Sequence, residues 1–181
     1  MSIFSRISRW VGASDTMSTV SKGRLAPNFA LNSPDGKEYS LANAMTKGPV
    51  VLAFFKISCP TCQFTFPFLE RLYQRFGKAA TFLGVSQDNA EKTRDFLQHY
   101  GVTFPVVLDP VDSGYLVSNA YGLTNVPTFY LIESDGSVTV SSVGFGKKEI
   151  EDIAATLSEK QQIAAVPFFR ADETVPAHKP G

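Results

Sequence analysis

The 181-residue chain carries only two cysteines, Cys59 and Cys62, which lie three positions apart. They follow an apolar run over residues 49–55 and stand at the head of an amphipathic stretch, which predicts the junction of a buried strand and a helix. Positions i and i+3 share one face of a helix, so the two sulfurs can form and open a disulfide within one helical turn. The spacing therefore indicates thiol-disulfide exchange.

Pro60, between the predicted strand and the rest of the helix, gives the two thiols different roles. Proline suits the first helical position, because its fixed φ is helical and its missing N–H has no intrahelical partner. Cys59 is then the N-cap, where free backbone N–H groups and the positive end of the helix dipole favour the thiolate form. Cys62 is shielded one turn further on. We predict that Cys59 is the nucleophile and that Cys62 resolves the mixed disulfide.

Two other uses of the cysteine pair have less support. A zinc site would need His99 and His178 as further ligands, which are far apart in the sequence, whereas closed zinc sites use four well-spaced ligands. A purely structural disulfide between such near neighbours would constrain little chain, since its stabilisation grows with loop length. We therefore expect no metal and no cofactor.

Composition narrows the class of protein and its location. Seventeen basic residues balance seventeen acidic ones, so no strong field attracts nucleic acid. No apolar run approaches the roughly 20 residues that span a bilayer, and Arg6 and Arg9 interrupt the N-terminus where a secretory signal would be apolar. We expect a cytoplasmic protein, with the periplasm as the alternative. In a reducing compartment such a pair is typically catalytic or metal-binding.

Strands and helices alternate around the cysteine pair. A Pro-Asp-Gly turn at 34–36 predicts a hairpin between 29–31 and 38–41. The later elements are predicted as strands at 49–56, 80–85, 105–108, 128–132 and 138–143 and helices at 60–76, 89–100, 115–121 and 147–160. This order predicts an α/β domain with a central mixed β-sheet, helices on both faces and an N-terminal β-hairpin.

The two ends of the chain differ from the domain predicted at 23–160. Residues 1–22 form an arm and linker in which apolar side chains follow the spacing of one helix face; they are Ile3, Phe4, Ile7, Trp10 and Val11. We expect this arm to pack on the domain or to fray in solvent, with contact to a membrane surface or a partner as the second hypothesis. Residues 161–181 mix prolines with charges and show no period, which predicts a mobile tail.

Four features between residues 23 and 160 occur in a recognisable order. They are Ala26-Pro27-Asn28-Phe29 with the hairpin, Cys59-Pro60-Thr61-Cys62 after a buried strand, Pro67 five residues beyond Cys62, and Val126-Pro127-Thr128 opening a late strand. Together they resemble the thioredoxin superfamily, in the branch of TlpA-like thiol-disulfide oxidoreductases and AhpC/TSA redoxins. The resemblance implies a thioredoxin-like fold and exchange with protein or low-molecular-weight disulfides, supported by a separate reductant donor.

The resemblance also implies roles for two residues outside the cysteine pair. Pro127 should be the cis-proline that lies against the pair, and the backbone of Val126 should contact an extended substrate segment. Ala53 and Thr65 occupy positions where relatives carry Asp or Glu. No internal carboxylate is therefore expected to take the proton of Cys62.

A thiol peroxidase of the peroxiredoxin type is the main alternative function. Peroxiredoxins carry a proline seven residues, and a threonine or serine three residues, before the reactive cysteine. Before Cys59 these two positions hold Leu52 and Lys56. Before Cys62 they hold Phe55 and Cys59, so neither cysteine is preceded by the peroxiredoxin pattern. A non-enzymatic module whose binding surface responds to the redox state of the pair is the other alternative.

Overall fold

The computed structural model describes residues 18–164 and 166–181. The helix face predicted for the N-terminal arm falls outside these residues. The first two strands form the predicted hairpin, in which β1 (Ala30–Asn32) pairs antiparallel with β2 (Glu38–Ser40). A short helix α1 (Leu41–Met45), which the sequence analysis did not predict, follows directly, and the Ser40 side chain accepts a hydrogen bond from the backbone N–H of Asn43 at its start.

Five strands form the central sheet in the order β5-β4-β3-β6-β7. They are β3 (Val50–Phe55), β4 (Thr81–Ser86), β5 (Val106–Leu108), β6 (Thr128–Ile132) and β7 (Val138–Val143). Strands β3, β4 and β5 are parallel, and β6 is antiparallel to both β3 and β7. The predicted mixed sheet is confirmed. Every residue of the central strand β3 is buried, as its unbroken apolar sequence predicts.

Four α-helices follow α1 in the described chain. They are α2 (Pro60–Phe76), α3 (Ala90–Tyr100), α4 (Leu116–Ala120) and α5 (Lys147–Lys160). Asn89 caps α3 by accepting from the N–H of Lys92, and Gly101 ends the helix in the left-handed region at φ 64°, which glycine adopts without strain. None of the helices in the described ranges is both long and apolar enough to cross a membrane.

Helices cover both faces of the sheet, as predicted. Alternate residues of β3 point to opposite faces. Val51, Ala53 and Phe55 join the larger core with α2, α3 and α5. The intervening β3 residues, beginning with Val50, join a second core to which α1 contributes Leu41. The helix that carries the cysteine pair therefore packs on the more extensive core.

Residues 166–181, here called the C-terminal segment, are not the free tail that the sequence predicts. Phe168 and Phe169 are each only 6% exposed, and the Phe169 ring lies 5.3 Å from that of Phe68 in α2. Arg71 of α2 forms an ion pair with Glu173 at 2.7 Å. The prediction failed because two aromatic side chains bury on α2 and a charged one finds a partner there, which a search for periodicity does not detect.

The far end of the C-terminal segment adds a small sheet. Strand β8 (Phe145–Gly146) pairs antiparallel with β9 (His178–Lys179). The backbone N–H of Lys147 extends the pairing by donating to the carbonyl of Ala177 at 2.9 Å. The segment therefore runs over α2 and passes the start of α5 at Ala177. The domain boundaries proposed at residues 22 and 160 remain predictions.

Candidate active site

The sheet topology brings the cysteine pair and the Val126-Pro127 turn to one edge. Cys59 lies just beyond the end of β3, and Val126 lies just before the start of β6. Since β3 and β6 are antiparallel neighbours, with Phe54 opposite Thr128, these two loops must meet. The peptide bond between Val126 and Pro127 is cis, which confirms the expectation that the resemblance raised.

Cys59 is the N-cap of α2, as the position of Pro60 predicts. Its backbone is extended, with φ −81° and ψ 116°, and its Sγ accepts a hydrogen bond from the backbone N–H of Cys62 at 3.2 Å. The thiol in turn donates to the carbonyl oxygen of Val126 at 3.1 Å. The side chain is half-buried. Cys59 is therefore both within reach of a partner and held in one orientation.

Cys62 lies beneath Cys59 and has no exposed surface. Both cysteines are free thiols. Burial raises the pKa of the Cys62 thiol well above its usual range; a backbone hydrogen bond at Lys56 acts in the opposite direction, and Cys59 and the charge of Asp88 raise that pKa further. The two thiols three positions apart therefore differ sharply in access to solvent and to reagents.

Asp88 is a carboxylate near the pair that the sequence analysis missed. It follows β4, the parallel neighbour of β3, and its Oδ2 accepts from the backbone N–H of Ile57 at 2.8 Å. Gln63 of α2 donates to the carbonyl of Ile57 at 2.9 Å. These bonds hold the loop that leads to Cys59. The carboxyl ends of adjacent parallel strands share one sheet edge, so the pairing of β4 with β3 brings Asp88 to the loop after β3.

The C-terminal segment also reaches this edge, which no sequence pattern indicated. The Thr61 hydroxyl, inside the cysteine motif, donates to the carbonyl of Pro180 at 2.6 Å. The side-chain amide of Asn125 donates to the carbonyl of Gly181 at 3.2 Å. A Cβ atom at Gly181 would clash with the Val126 carbonyl oxygen. The segment therefore contacts the cysteine motif and the turn before Pro127 together.

The two histidines considered for zinc lie in different elements. His178 is in β9 and His99 is near the end of α3. Within residues 18–164 and 166–181, no three His, Cys, Asp or Glu side chains come together in an arrangement that could hold a metal ion. The described site consists of the two thiols and the groups hydrogen-bonded around them.

Comparison with known proteins agrees with this chemistry. Residues 22–141 match the AhpC/TSA family. The chain is 35% identical over 135 residues to thiol-disulfide oxidoreductase ResA of Geobacillus thermodenitrificans, covering 72% of this chain and 74% of that protein. It is 34% identical over 122 residues to ResA of Bacillus subtilis, covering 66% of each. The crystal structure of a proposed thiol:disulfide interchange protein DsbE from Chlorobium tepidum superposes with a TM-score of 0.67 at 26% identity, covering 78% of this chain and 99% of that one.

Proposed function

The chain belongs to the AhpC/TSA family and is a thiol-disulfide oxidoreductase of thioredoxin-like fold, and on this premise we propose that Cys59 attacks the substrate disulfide and Cys62 resolves the intermediate. The observation that carries the proposal is the contrast between the two sulfurs. Cys59 is accessible at the N-cap with a backbone N–H donor at 3.2 Å, whereas Cys62 is fully buried. Only Cys59 can meet the disulfide of another protein without opening the fold.

The first step forms a mixed disulfide. Cys59 loses its proton and its Sγ attacks one sulfur of the substrate, which breaks the substrate S–S bond and releases the other sulfur as a thiolate that takes up a proton. The backbone N–H of Cys62 donates to the Cys59 Sγ as this step begins. Once the thiol proton has left, the Val126 carbonyl loses its donor from Cys59 and becomes free to accept a backbone N–H of the substrate.

The second step closes the Cys59-Cys62 disulfide. Cys62 loses its proton, and its Sγ attacks the Sγ of Cys59, which breaks the mixed disulfide and releases the second substrate thiol. Two electrons and two protons have then passed from the cysteine pair to the substrate. Burial opposes ionisation of Cys62, so this thiol stays unreactive toward solvent species until the mixed disulfide lies directly beside it. A separate donor must reduce the pair before the next cycle.

We propose that Val126 and Pro127 form the substrate contact and that the substrate is a protein disulfide. Thiol-disulfide oxidoreductases act on such disulfides, and the Val126 carbonyl is 3.1 Å from the Cys59 sulfur. A main-chain contact at this carbonyl would recognise an extended segment with little dependence on its side chains.

The cell compartment is also a proposal. The sequence favours the cytoplasm and keeps the periplasm as the alternative. Relatives named ResA and DsbE are typically extracytoplasmic, which supports the periplasmic alternative. We therefore propose that the enzyme acts outside the cytoplasm, and release of the protein from cells by osmotic shock is the measurement that tests this.

Trapping of the mixed disulfide tests the roles of the two cysteines. Cys62→Ser should accumulate a covalent complex with insulin whose disulfides are intact, because the first step proceeds and the second cannot. Cys59→Ser should form none, since the buried Cys62 does not meet the substrate. The complexes are measured by non-reducing electrophoresis and mass spectrometry of the linked peptides.

The matched serine variants make the outcome decisive. If Cys59→Ser traps substrate and Cys62→Ser does not, the assignment of roles is reversed. If the wild type consumes hydrogen peroxide and does not reduce insulin in the presence of dithiothreitol, the peroxidase alternative replaces exchange. If neither reaction occurs, the redox-responsive binding module becomes the better hypothesis.

A further inference from the structure

Residues 177–181 occupy the surface next to Cys59 on which a substrate segment would lie. The Pro180 carbonyl accepts from Thr61 at 2.6 Å, between the two cysteines in sequence, and the Gly181 carbonyl accepts from Asn125 at 3.2 Å. Gly181 packs so closely on the Val126 carbonyl that no side chain fits between them. The chain's own backbone thus lies against the carbonyl that the proposed function assigns to the substrate.

The way these residues are held resembles the way an extended peptide adds to a sheet edge. His178 and Lys179 pair antiparallel with β8, and Ala177 accepts from the Lys147 N–H at 2.9 Å. The chain also passes close to Gly144, where a Cβ would clash with the Lys179 carbonyl. Main-chain pairing of this kind provides affinity without a demand for one sequence. A substrate segment could replace it using the same backbone partners.

The hold on residues 177–181 is weak enough to be released. All of them are exposed except Lys179, which is half-buried with its ammonium 4.5 Å from the centre of the Phe64 ring. The bonds that hold them are a two-residue ladder and a few polar contacts. Each such bond contributes little net stability, because it replaces a hydrogen bond to water. The anchoring aromatic residues, Phe168 and Phe169, lie further back and need not move when this stretch detaches.

We propose that residues 177–181 are an internal competitor for the substrate groove formed by β8, Asn125, Val126 and Thr61. This inference rests on the proposed function. Exchange with a protein disulfide requires that the stretch leave the groove, whereas a small disulfide reaches the half-exposed Cys59 while it is in place. This competition favours substrates that present an extended segment able to displace residues 177–181.

Removal of residues 177–181 tests the competition. The full chain and the shortened variant, both reduced, are each mixed with insulin whose disulfides are intact or with cystamine. Formation of the Cys59-Cys62 disulfide is followed by acid quench and mass spectrometry. The shortened variant should react about tenfold faster with insulin. The apparent affinity of the full chain for insulin is its intrinsic affinity multiplied by the fraction of time that the groove is free, and a groove that is free about one-tenth of the time gives this factor. The rate of the shortened variant with cystamine should stay within about twofold, since that reagent needs no groove.

A peptide with the sequence of residues 173–181 provides a second measurement. Added to the shortened variant, it should raise the insulin concentration that gives the half-maximal rate and leave the maximal rate unchanged. Gly181→Ala in the full chain should also accelerate insulin exchange, since the added Cβ pushes the stretch away from the Val126 carbonyl. Thr174→Ala, at an exposed position of the same segment outside the groove, is the matched control and should behave as the wild type.

The outcomes separate this inference from the function on which it rests. An unchanged or slower insulin rate in the shortened variant, with normal cystamine exchange, overturns the competitor and leaves the oxidoreductase intact. Loss of exchange with both disulfides in the full chain overturns both proposals. If the shortened variant proves unfolded by circular dichroism, Gly181→Ala decides: faster insulin exchange supports the competitor and an unchanged rate overturns it.

Discussion

The first turn of α2 and the C-terminal segment meet at Thr61 but are held in different ways. Below the cysteine motif, Phe66 is fully buried, with its ring 4.3 Å from Phe55 and 5.5 Å from Phe96. The C-terminal segment adds Phe168 and Phe169 to the edge of the same core, whereas residues 177–181 are held by backbone pairing and polar contacts and are exposed apart from Lys179. The first region lies within the core, and the second leaves it after its two aromatic residues.

This difference means that the core below α2 determines the stability of the fold, whereas the C-terminal segment determines access to Cys59. The thiols must keep one geometry through each cycle, and a core of interlocking aromatic rings provides it. A segment that governs access must move without unfolding that core. Regions with few buried contacts open at lower free energy than the whole protein. Three experiments can break or sharpen this comparison.

Removing a matched aromatic ring from each region should give the largest effect. Phe66→Ala should lower the free energy of unfolding by about 3 to 5 kcal/mol, as expected for a phenylalanine deleted from a core. Phe169→Ala should cost about 2 kcal/mol or less, because the segment can detach locally and limit the loss. Urea denaturation followed by circular dichroism measures both, and equal losses would show that Phe169 is held in the core as firmly as Phe66.

Alkaline pH should destabilise the reduced protein through Cys62. Burial raises the pKa of this thiol above its usual 9.0 in the folded chain, so above pH 9 the unfolded chain ionises while the folded chain does not. Stability is therefore fully present below pH 9 and falls above it, by up to about 1.4 kcal/mol per pH unit. Urea denaturation of wild type and Cys62→Ala at pH 8 to 10 should show this extra slope in the wild type only.

The same experiment separates the two regions. Burial also raises the pKa of Tyr121 and Tyr130. The wild type and Cys62→Ala both contain these tyrosines, so their contribution cancels when the two stability curves are subtracted. The variant without residues 177–181 should keep the wild-type slope, because opening the groove does not expose Cys62. A slope lost on that deletion would mean that the stretch, and not the core, shields the thiol.

Acid should loosen the C-terminal segment with the smallest effect on the whole protein. Hydrogen bonds from the Arg71 side chain and from the backbone N–H of Arg170, together with the charges of both arginines, lower the pKa of Glu173 from 4.5 to about 2. The contribution of these contacts is thus complete above pH 4.5 and is lost as pH falls toward 2. Hydrogen exchange of amides in residues 166–181 should accelerate over that range in the wild type, and should already be faster at pH 7 in Glu173→Gln.

A second ion pair provides the control for the acid experiment. Lys148 and Asp152 lie one turn apart on the exposed face of α5, at 2.6 Å. Asp152→Asn removes a charge of the same kind without touching the C-terminal segment, so exchange in residues 166–181 should not change. If it changes as much as in Glu173→Gln, the effect comes from net charge rather than from the bond to Arg71.

The central part of the fold follows from local sequence. Pro60 and Cys59 set the start of α2, and the apolar run of β3 sets a strand buried on both faces, so strand, cap and helix were all predictable. The cis bond before Pro127 followed from family resemblance, since a Val-Pro pair alone favours trans. These features depend on neighbours in the chain or on a shared pattern.

The missed features depend on contacts between distant residues. Asp88 acts on the cysteine loop because β4 is the neighbour of β3, and residues 166–181 are ordered because Phe64 and Phe68 leave aromatic surface that Lys179 and Phe169 cover. Neither the carboxylate nor the segment shows a period or a turn signal. Such contacts are set by the assembled surface, which local propensity does not encode.

The hydrogen bond between Cys59 and Val126 spans 67 residues of chain, and its consequence concerns the order of folding. The β3-α2 unit can form from nearby residues, but the Val126 carbonyl arrives only when β6 pairs with β3, a contact that closes a long loop and is slow to form. Until then Cys59 lacks its contact with the Val126 carbonyl, and both thiols are open to any disulfide or thiol they meet. An intermediate with α2 formed and β6 unpaired would be the species most prone to disulfides between two copies of the chain, so refolding yield should depend on protein concentration under oxidising conditions.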